Sequence, residues 1–142
     1  IDYLQRKGDE VELACCIYAT APFIQPVDLQ NSLEQMQTND IDYCFSVSSY
    51  PFPIQRSIRI TSNQRTIMLQ PEMIQKRSQD LEEFYHDAGQ FYWGTAQSWL
   101  ENKELFSNNS MPYILPRYRV QDIDTMEDWK RAELMFKALQ SD

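Results

Sequence analysis

The sequence predicts an α/β fold, and three observations support this prediction. An apolar run at residues 11–18 and an alternating run at residues 42–49 both have the character of β-strands. Apolar residues recur at helical spacing after the first run and again in residues 126–139. Strands that alternate with helices in this way are typical of α/β domains.

The first half of the chain is predicted to supply two strands of the main sheet and the helix between them. Residues 1–8 have the pattern of the last turns of a helix that ends at Gly8, and because the chain opens on Ile1 in mid-pattern we expect further residues upstream. The run at 11–18 predicts a central, buried strand, and residues 28–37 predict a helix. The strand at 42–49 ends at the following prolines, which cannot donate to a sheet.

The second half is predicted to begin with an antiparallel excursion and to close with a strand and a helix. The predicted elements are a hairpin at 57–61 and 66–69, an irregular polar stretch at 70–87, an aromatic strand at 90–95, a short helix at 96–102, a strand at 118–123 and a helix at 126–139. The buried stripe of that last helix is predicted to be Trp129, Ala132, Met135, Phe136 and Leu139. We treat 1–142 as a single domain in which about residues 50–93 form the excursion.

Composition narrows the class of protein. The net charge of -8 argues against nucleic-acid binding, and neither a membrane-length apolar run nor a signal-peptide pattern is present in the sequence. The three cysteines predict free thiols in a reducing cytoplasm. With three scattered glycines and one histidine, His86, the sequence contains no phosphate-binding glycine loop, no Ser-His-Asp arrangement and no His-rich zinc site.

The segment from Arg117 to Trp129 carries the strongest chemical signal. If residues 118–123 form a strand, Asp122 and Asp124 lie at its carboxyl end, and side chains two apart on a strand point to the same side. Two such carboxylates suit a hard divalent cation, the kind that organises phosphate chemistry. The alternative is helix capping, in which Asp124 or Thr125 is the N-cap and Glu127 or Asp128 completes a capping box. Both interpretations stay open.

Two further loops are candidates for substrate binding. Residues 18–23 follow a predicted buried strand, so they lie at the edge of the sheet where α/β proteins bind ligands, unless they form a plain connection to the next helix. Residues 76–80 supply cations and amides, although such a run is usually solvated surface. Arg117 and Arg119 either counter an anion near the aspartates or face solvent.

Three segments together resemble one family. Residues 16–23 (CIYATAPF), the RSQD loop at 77–80 leading to FYWG at 91–94, and residues 121–128 (QDIDTMED) are similar to the acylneuraminate cytidylyltransferases, the CMP-sialic acid synthetases. The variants YATAPF and FYWG look most like the branch that acts on pseudaminic acid. The resemblance spans nearly the whole chain in the right order.

The resemblance implies a Rossmann-like nucleotidyltransferase fold with a mixed, mainly parallel sheet and flanking helices, and a homodimer built with an antiparallel dimerisation arm. It implies CTP and a nonulosonic acid as substrates, Mg²⁺ as cofactor, and release of pyrophosphate as the anomeric hydroxyl of the sugar attacks the α-phosphate. The positions that match the family's site are Asp122 and Asp124 for metal binding and catalysis, and Tyr18, Thr20, Arg77 and Gln79 for substrate binding.

The chain also departs from the pattern of the sialic acid members. Tyr18 stands where those members have Gln, and Ile24 where they have Arg. The family's amino-terminal glycine- and arginine-rich loop, which grips CTP, has no counterpart in these residues. We therefore predict a CMP-nonulosonate synthetase, with pseudaminic acid as the sugar, of which this chain is the carboxyl-terminal part. The alternatives are a cytidylyltransferase for N-acetylneuraminic or legionaminic acid, or a non-catalytic dimerisation module.

Overall fold

The computed structural model describes residues 1–140, and the chain divides into two compact units. The first unit contains residues 1–48 and the chain from residue 87 onward, and the second contains residues 49–86. In chain order, the helices and strands are α1 (Asp2–Arg6), β1 (Leu13–Ile17), α2 (Pro26–Thr38), β2 (Tyr43–Ser49), β3 (Ile58–Ile60), β4 (Thr66–Met68), β5 (Tyr85–Thr95), α3 (Ala96–Leu100), β6 (Ser110–Ile114) and α4 (Met126–Leu139).

The main sheet has four strands in the spatial order β1-β5-β2-β6. Strands β1 and β5 pair antiparallel, with Ile17 opposite Phe91, whereas β2 and β6 pair parallel. Strands β2 and β5 also run in opposite directions, since Asp42 O accepts from Thr95 N at 3.1 Å while Ser46 Oγ donates to Phe91 O at 3.3 Å. The α/β class and the mixed sheet are therefore confirmed, but parallel pairs do not predominate among these strands.

Most predicted elements form where the sequence pattern placed them, and two assignments were wrong. The predicted strand at 118–123 does not exist: Arg117–Arg119 is a single 3-10 turn, and residues 120–123 are irregular. The last strand is β6, at a site the sequence analysis had not assigned to a strand. The strand predicted as central, β1, lies at the edge of the sheet.

The sheet of the first unit packs apolar side chains on both faces. Tyr43, Phe45 and Val47 alternate along β2 and join Tyr92 of β5 in one buried cluster, as the period of two along a strand requires. Phe91, the neighbour of Tyr92, belongs to a second cluster with Ala88 and Leu115.

The apolar stripe of α4 is only partly buried. Of the five predicted residues, Ala132 alone is fully buried within the described part of the chain, while Trp129 and Phe136 remain 52% and 50% exposed. The stripe prediction was therefore wrong for these two aromatic side chains.

The second unit is built around the predicted hairpin, in which β3 and β4 pair antiparallel. Three short 3-10 turns accompany it, at 54–56, 71–75 and 78–80. Near the start and the end of the unit, Tyr50 N donates a hydrogen bond of 3.0 Å to Phe84 O. Several apolar side chains of the unit stay exposed, among them Phe52 (80%), Ile60 (68%) and Leu69 (60%).

The three cysteines are free thiols, as predicted. Burial raises the pKa of both Cys15 and Cys44 to about 11, so these two thiols are protonated at neutral pH. No helix among residues 1–140 is both long enough and apolar enough to cross a membrane.

Candidate functional site

Two of the segments singled out in the sequence meet in the first unit. Thr20, in the loop after β1, donates a hydrogen bond from Oγ1 to Asp122 Oδ1 at 3.2 Å. The same carboxylate oxygen accepts from Ile123 N at 3.0 Å, which fixes the side chain against its own backbone. Asp122 nevertheless remains exposed. The fold therefore brings together two candidate residues that are 102 positions apart in the sequence.

A glycine of β5 completes this meeting point. Gly89 has φ +61°, the left-handed conformation that a residue without a Cβ adopts at little cost. A Cβ built on Gly89 would lie 3.6 Å from Asp122 Cγ, so the Asp122 carboxylate sits directly over this turn of the strand. Three chain segments, after β1, within β5 and before α4, thus meet around Asp122.

Helix α4 is capped without the side chains of the two candidate aspartates. Thr125 is the N-cap: its Oγ1 accepts from Asp128 N at 3.2 Å, and Asp128 Oδ2 accepts from Thr125 N at 2.9 Å, which completes a capping box. Hydrogen bonding from the Thr125 side chain is the main cause that lowers the pKa of Asp128. The capping interpretation is therefore correct for Thr125 and Asp128, and the exposed Asp124 side chain lies outside the box.

Strand geometry does not align the carboxylates of Asp122 and Asp124, because residues 120–123 are not a strand. Among residues 1–140, no three His, Cys, Asp or Glu side chains are grouped as a ready-made metal cage. Mg²⁺, however, is commonly held by one or two carboxylates together with substrate phosphates and water. Two exposed carboxylates that take no part in the cap of α4, Asp122 and Asp124, fit that mode of binding.

Tyr18 lies beside Thr20 in the same loop. Its backbone N donates to Gln90 O at 3.0 Å, and its ring is 46% exposed. The centroid of this ring is 5.1 Å from that of Tyr92, which is buried in β5. Tyr92 therefore lies beneath Tyr18 and supports its ring, a role that the pattern of an aromatic strand does not indicate.

Arg77 and Gln79 belong to the second unit. Arg77 precedes the 3-10 turn 78–80 and its carbonyl accepts from Asp80 N at 3.0 Å. Gln79 lines a cleft of about 250 Å³ whose apolar walls include Phe52 and Phe84. Both side chains are exposed. The four other candidate residues lie in the first unit.

Arg56 holds the loop that carries Arg77 and Gln79. Its guanidinium donates to Ser78 Oγ at 3.1 Å and also to the carbonyl of Lys76. This contact was missed, because nothing in the local pattern links residue 56 to residues 76–78.

Both predicted roles of Arg119, a counter-charge for an anion and a solvent-facing residue, were wrong. Arg119 Nη1 donates to Asp28 Oδ2 at 2.5 Å, and Nη2 donates to Asp28 Oδ1 at 3.3 Å. The Asp28 side chain is 4% exposed, so this is a buried ion pair. It ties the 3-10 turn before Asp122 to the first turn of α2. Arg117, by contrast, is exposed.

No model of a protein family matches the chain. The chain nevertheless matches individual curated proteins over nearly all of its length. The chain is 37% identical over 137 residues to a pseudaminic acid cytidylyltransferase of Campylobacter jejuni serotype O:23/36, and 36% identical over 137 residues to that of serotype O:2. Each match covers 96% of this chain and 59% of the relative.

A third relative combines two activities. It is the Helicobacter pylori protein named pseudaminic acid cytidylyltransferase and UDP-2,4-diacetamido-2,4,6-trideoxy-beta-L-altropyranose hydrolase. It is 35% identical to this chain over 124 residues, which is 87% of this chain and 23% of that protein. The chain thus spans about three fifths of the length of the two Campylobacter relatives. Over nearly all of its own length, this chain is a homologue of the pseudaminic acid cytidylyltransferases, as its motifs indicated.

Proposed function

We propose that the full-length protein is a CMP-nonulosonate synthetase that joins CMP to pseudaminic acid. In this reaction the anomeric hydroxyl of the sugar acid attacks the α-phosphorus of CTP. A new P–O bond forms, the bond to pyrophosphate breaks, and the hydroxyl proton passes to solvent. The relatives named above support the reaction class. The contact between Thr20 and Asp122 carries the assignment of the site, because it joins the two segments that match the family's sugar loop and metal loop.

Charge dictates what the residues of this site must do. CTP and a sugar carboxylate are both anions, and the chain itself has a net charge of -8. Phosphoryl-type transfer depends on positioning and charge neutralisation more than on covalent work by the protein. A divalent cation, when bound, neutralises the phosphate charge and polarises the α-phosphate. In this proposal Asp122 and Asp124 hold that Mg²⁺, and Thr20 fixes the orientation of Asp122.

The remaining candidates are assigned to the sugar acid. Tyr18 presents an exposed ring and hydroxyl next to Thr20, which suits contact with the polar and apolar faces of a sugar. Arg77 supplies a cation for the carboxylate, and Gln79 supplies donors and an acceptor from the wall of its cleft. A homodimer is part of the proposal, supported by the exposed apolar side chains of the second unit, hereafter the hairpin unit.

The replacement Asp124→Ala in the full-length protein tests the proposal. We expect pyrophosphate release from CTP and pseudaminic acid to fall by at least about 100-fold, because a ligand to the charge-neutralising cation is lost. The melting temperature stays unchanged, since Thr125 and Asp128 cap α4 without the Asp124 side chain. Asp40→Ala, an exposed aspartate in the loop after α2, is the matched control and retains full activity. Near-normal turnover of Asp124→Ala at saturating Mg²⁺ would remove the assignment.

A panel of sugar acids tests the substrate. We expect pseudaminic acid to give the highest kcat/KM, with legionaminic and N-acetylneuraminic acids well below it. If the protein prefers legionaminic or N-acetylneuraminic acid, the assignment of the sugar is wrong but the assignment of the reaction stands. A dimer that neither binds CTP nor releases pyrophosphate with any of these acids identifies a pairing module instead, and the enzymatic proposal then falls.

A further inference from the structure

Asp87 uses both oxygens of its carboxylate within the first unit. Oδ1 accepts a hydrogen bond from Gly89 N at 2.9 Å, and Oδ2 accepts one from the Tyr92 hydroxyl at 2.6 Å. Neither interaction was foreseen, and no role for Asp87 follows from the motifs. Gly89 and Tyr92 are the β5 residues that adjoin the candidate site residues Asp122 and Tyr18, respectively.

The bond to Gly89 N shapes the backbone beneath Asp122. A carboxylate oxygen that accepts from the N–H two residues later forms an Asx turn, which stabilises a local reversal. Here it holds Gly89 at φ +61° inside β5, where a regular strand would be extended. The Asp122 carboxylate lies over this glycine, with 3.6 Å between its Cγ and a Cβ built on Gly89. Loss of the turn changes the surface on which Asp122 rests.

The bond to Tyr92 fixes the ring beneath Tyr18. Tyr92 is 4% exposed, and its ring also stacks on Phe45 with centroids 6.4 Å apart. Burial, and then the hydrogen bond to Asp87, raise the pKa of Tyr92, so its hydroxyl stays a donor at neutral pH. With the hydroxyl held by Asp87, the ring has one orientation in which to support the half-exposed Tyr18, 5.1 Å away.

We propose that Asp87 is a positioning residue that serves both halves of the site: through Gly89 it sets Asp122 for the divalent cation, and through Tyr92 it sets Tyr18 for the sugar acid. This inference rests on the proposed function. Because one oxygen of its carboxylate accepts from Gly89 N and the other from the Tyr92 hydroxyl, a single side chain supports both Asp122 and Tyr18.

Two replacements in the full-length protein separate the two interactions of Asp87, the hydroxyl arm (its bond from the Tyr92 hydroxyl) and the backbone arm (its bond from Gly89 N). Tyr92→Phe removes only the hydroxyl arm, so we expect KM for the sugar acid to rise about fivefold, the size of one hydrogen bond, with unchanged affinity for Mn²⁺ as the probe of the cation site. Asp87→Ala removes both arms. For this variant we expect the same rise in KM together with a Kd for Mn²⁺ that is about tenfold higher, as outer-shell replacements at metal sites typically give.

The conservative replacement Asp87→Asn provides the rescue. Its amide oxygen still accepts from Gly89 N and its NH₂ group can donate to the Tyr92 hydroxyl oxygen, so Mn²⁺ affinity and KM are both expected to return to within about twofold of the wild type. Tyr43→Phe is the matched control. Tyr43 is also a buried tyrosine of the same apolar cluster, and its hydroxyl donates to Ser98 O at 2.8 Å. Its loss lowers the melting temperature but changes neither KM nor Mn²⁺ affinity.

Three measurements decide the matter: Mn²⁺ titration without substrate, steady-state pyrophosphate release, and thermal melting. Mn²⁺ affinity and KM that stay unchanged in Asp87→Ala overturn the inference and leave the proposed function standing. If both quantities change in Tyr43→Phe as they do in Asp87→Ala, Asp87 is merely structural and the inference is wrong. If the wild type binds Mn²⁺ but releases no pyrophosphate, the proposed function fails, and the Mn²⁺ titration of Asp87→Ala and Asp87→Asn still decides whether Asp87 positions Asp122.

Discussion

The buried ion pair between Asp28 and Arg119 gives a prediction whose magnitude follows from the structure. Arg119 donates two hydrogen bonds to Asp28, at 2.5 and 3.3 Å, and the exposed fractions of the two side chains are 18% and 4%. Each charge-assisted bond stabilises the folded state by roughly 1.5–3 kcal/mol, and the desolvation of the two charges offsets much of that gain. The replacement Arg119→Met therefore destabilises the folded state by more than the net stabilisation that the ion pair provides, because it leaves a carboxylate buried without its cation.

We expect Arg119→Met to lower the free energy of unfolding by about 3–4 kcal/mol. The double replacement Asp28→Asn with Arg119→Met removes both charges and should recover most of this loss. The exposed pair of Asp2 and Arg6 on α1, with side chains 58% and 76% exposed, is the matched control. Asp2→Asn should cost no more than about 0.5 kcal/mol.

Urea denaturation followed by tryptophan fluorescence measures these values. The three tryptophans of the chain, Trp93, Trp99 and Trp129, all lie in the first unit, which contains the ion pair, so the signal reports the unfolding of that unit. The reasoning is refuted if Arg119→Met costs no more than Asp2→Asn. It is also refuted if the double variant is as unstable as Arg119→Met alone.

Two further predictions concern acid stability and oligomeric state. Hydrogen bonds from Lys103, and then from Ser98 and Asn109, lower the pKa of Asp42 to about 2. Because the folded pKa lies below the unfolded value of about 3.9, this stabilisation is complete above about pH 4 and is lost as the pH falls towards 2. Since Lys103 is 37% exposed and screened by solvent, the stabilisation lost between pH 4 and pH 2 is on the order of 1 kcal/mol. Urea titrations at these two pH values should show that Asp42→Asn loses less stability in acid than the wild type by that amount. If the hairpin unit forms a dimer interface, Ile60→Asp should weaken the dimer by at least about tenfold in size-exclusion chromatography with light scattering, without a change in melting temperature, and an unchanged dimer would contradict that surface.

Elements whose signals are local could be predicted from the sequence. Helix α4 begins and ends where its apolar pattern and its Thr125 cap indicate, and the hairpin of the second unit forms around its predicted turn. The alternation of β2 was equally informative, because Tyr43, Phe45 and Val47 pack in one apolar cluster, whereas Ser46 and Ser48 between them donate to backbone carbonyls. These signals depend on neighbours within a few residues, and such neighbours are visible in the sequence.

The carboxyl-terminal strand could not be predicted, for reasons that are also physical. Strand β6 contains Pro112, which lacks the N–H that a central strand needs, and it is tolerated because β6 lies at the edge of the sheet. Residues 118–123 alternate as a strand does, but two of their side chains bind partners outside the segment. Arg119 binds Asp28, and the buried Gln121 donates to Asp128 Oδ1 of α4 at 3.2 Å. A pattern that arises from tertiary contacts in a loop can imitate the period of a strand.

The segments that form the candidate site could be predicted from the sequence, but the contacts that β5 makes beneath them could not. Residues 18–23 and Asp122 were both expected at the ligand-binding edge of the sheet, and Thr20 does contact Asp122, although the strand expected before Asp122 does not form. The close approach of Gly89 to Asp122 was missed because it depends on a left-handed glycine within β5. The signal was present as Asp87-Ala88-Gly89, an Asx-turn pattern that an otherwise regular aromatic strand obscured.

The hydrogen bond between Tyr50 N and Phe84 O has a consequence for how this protein has been able to change. Because the segment between them starts and finishes at adjacent points, lengthening it adds little to the entropy of closing the loop. We therefore expect homologues to differ in length in the parts of this segment away from Arg77 and Gln79, while the strands on either side keep their register.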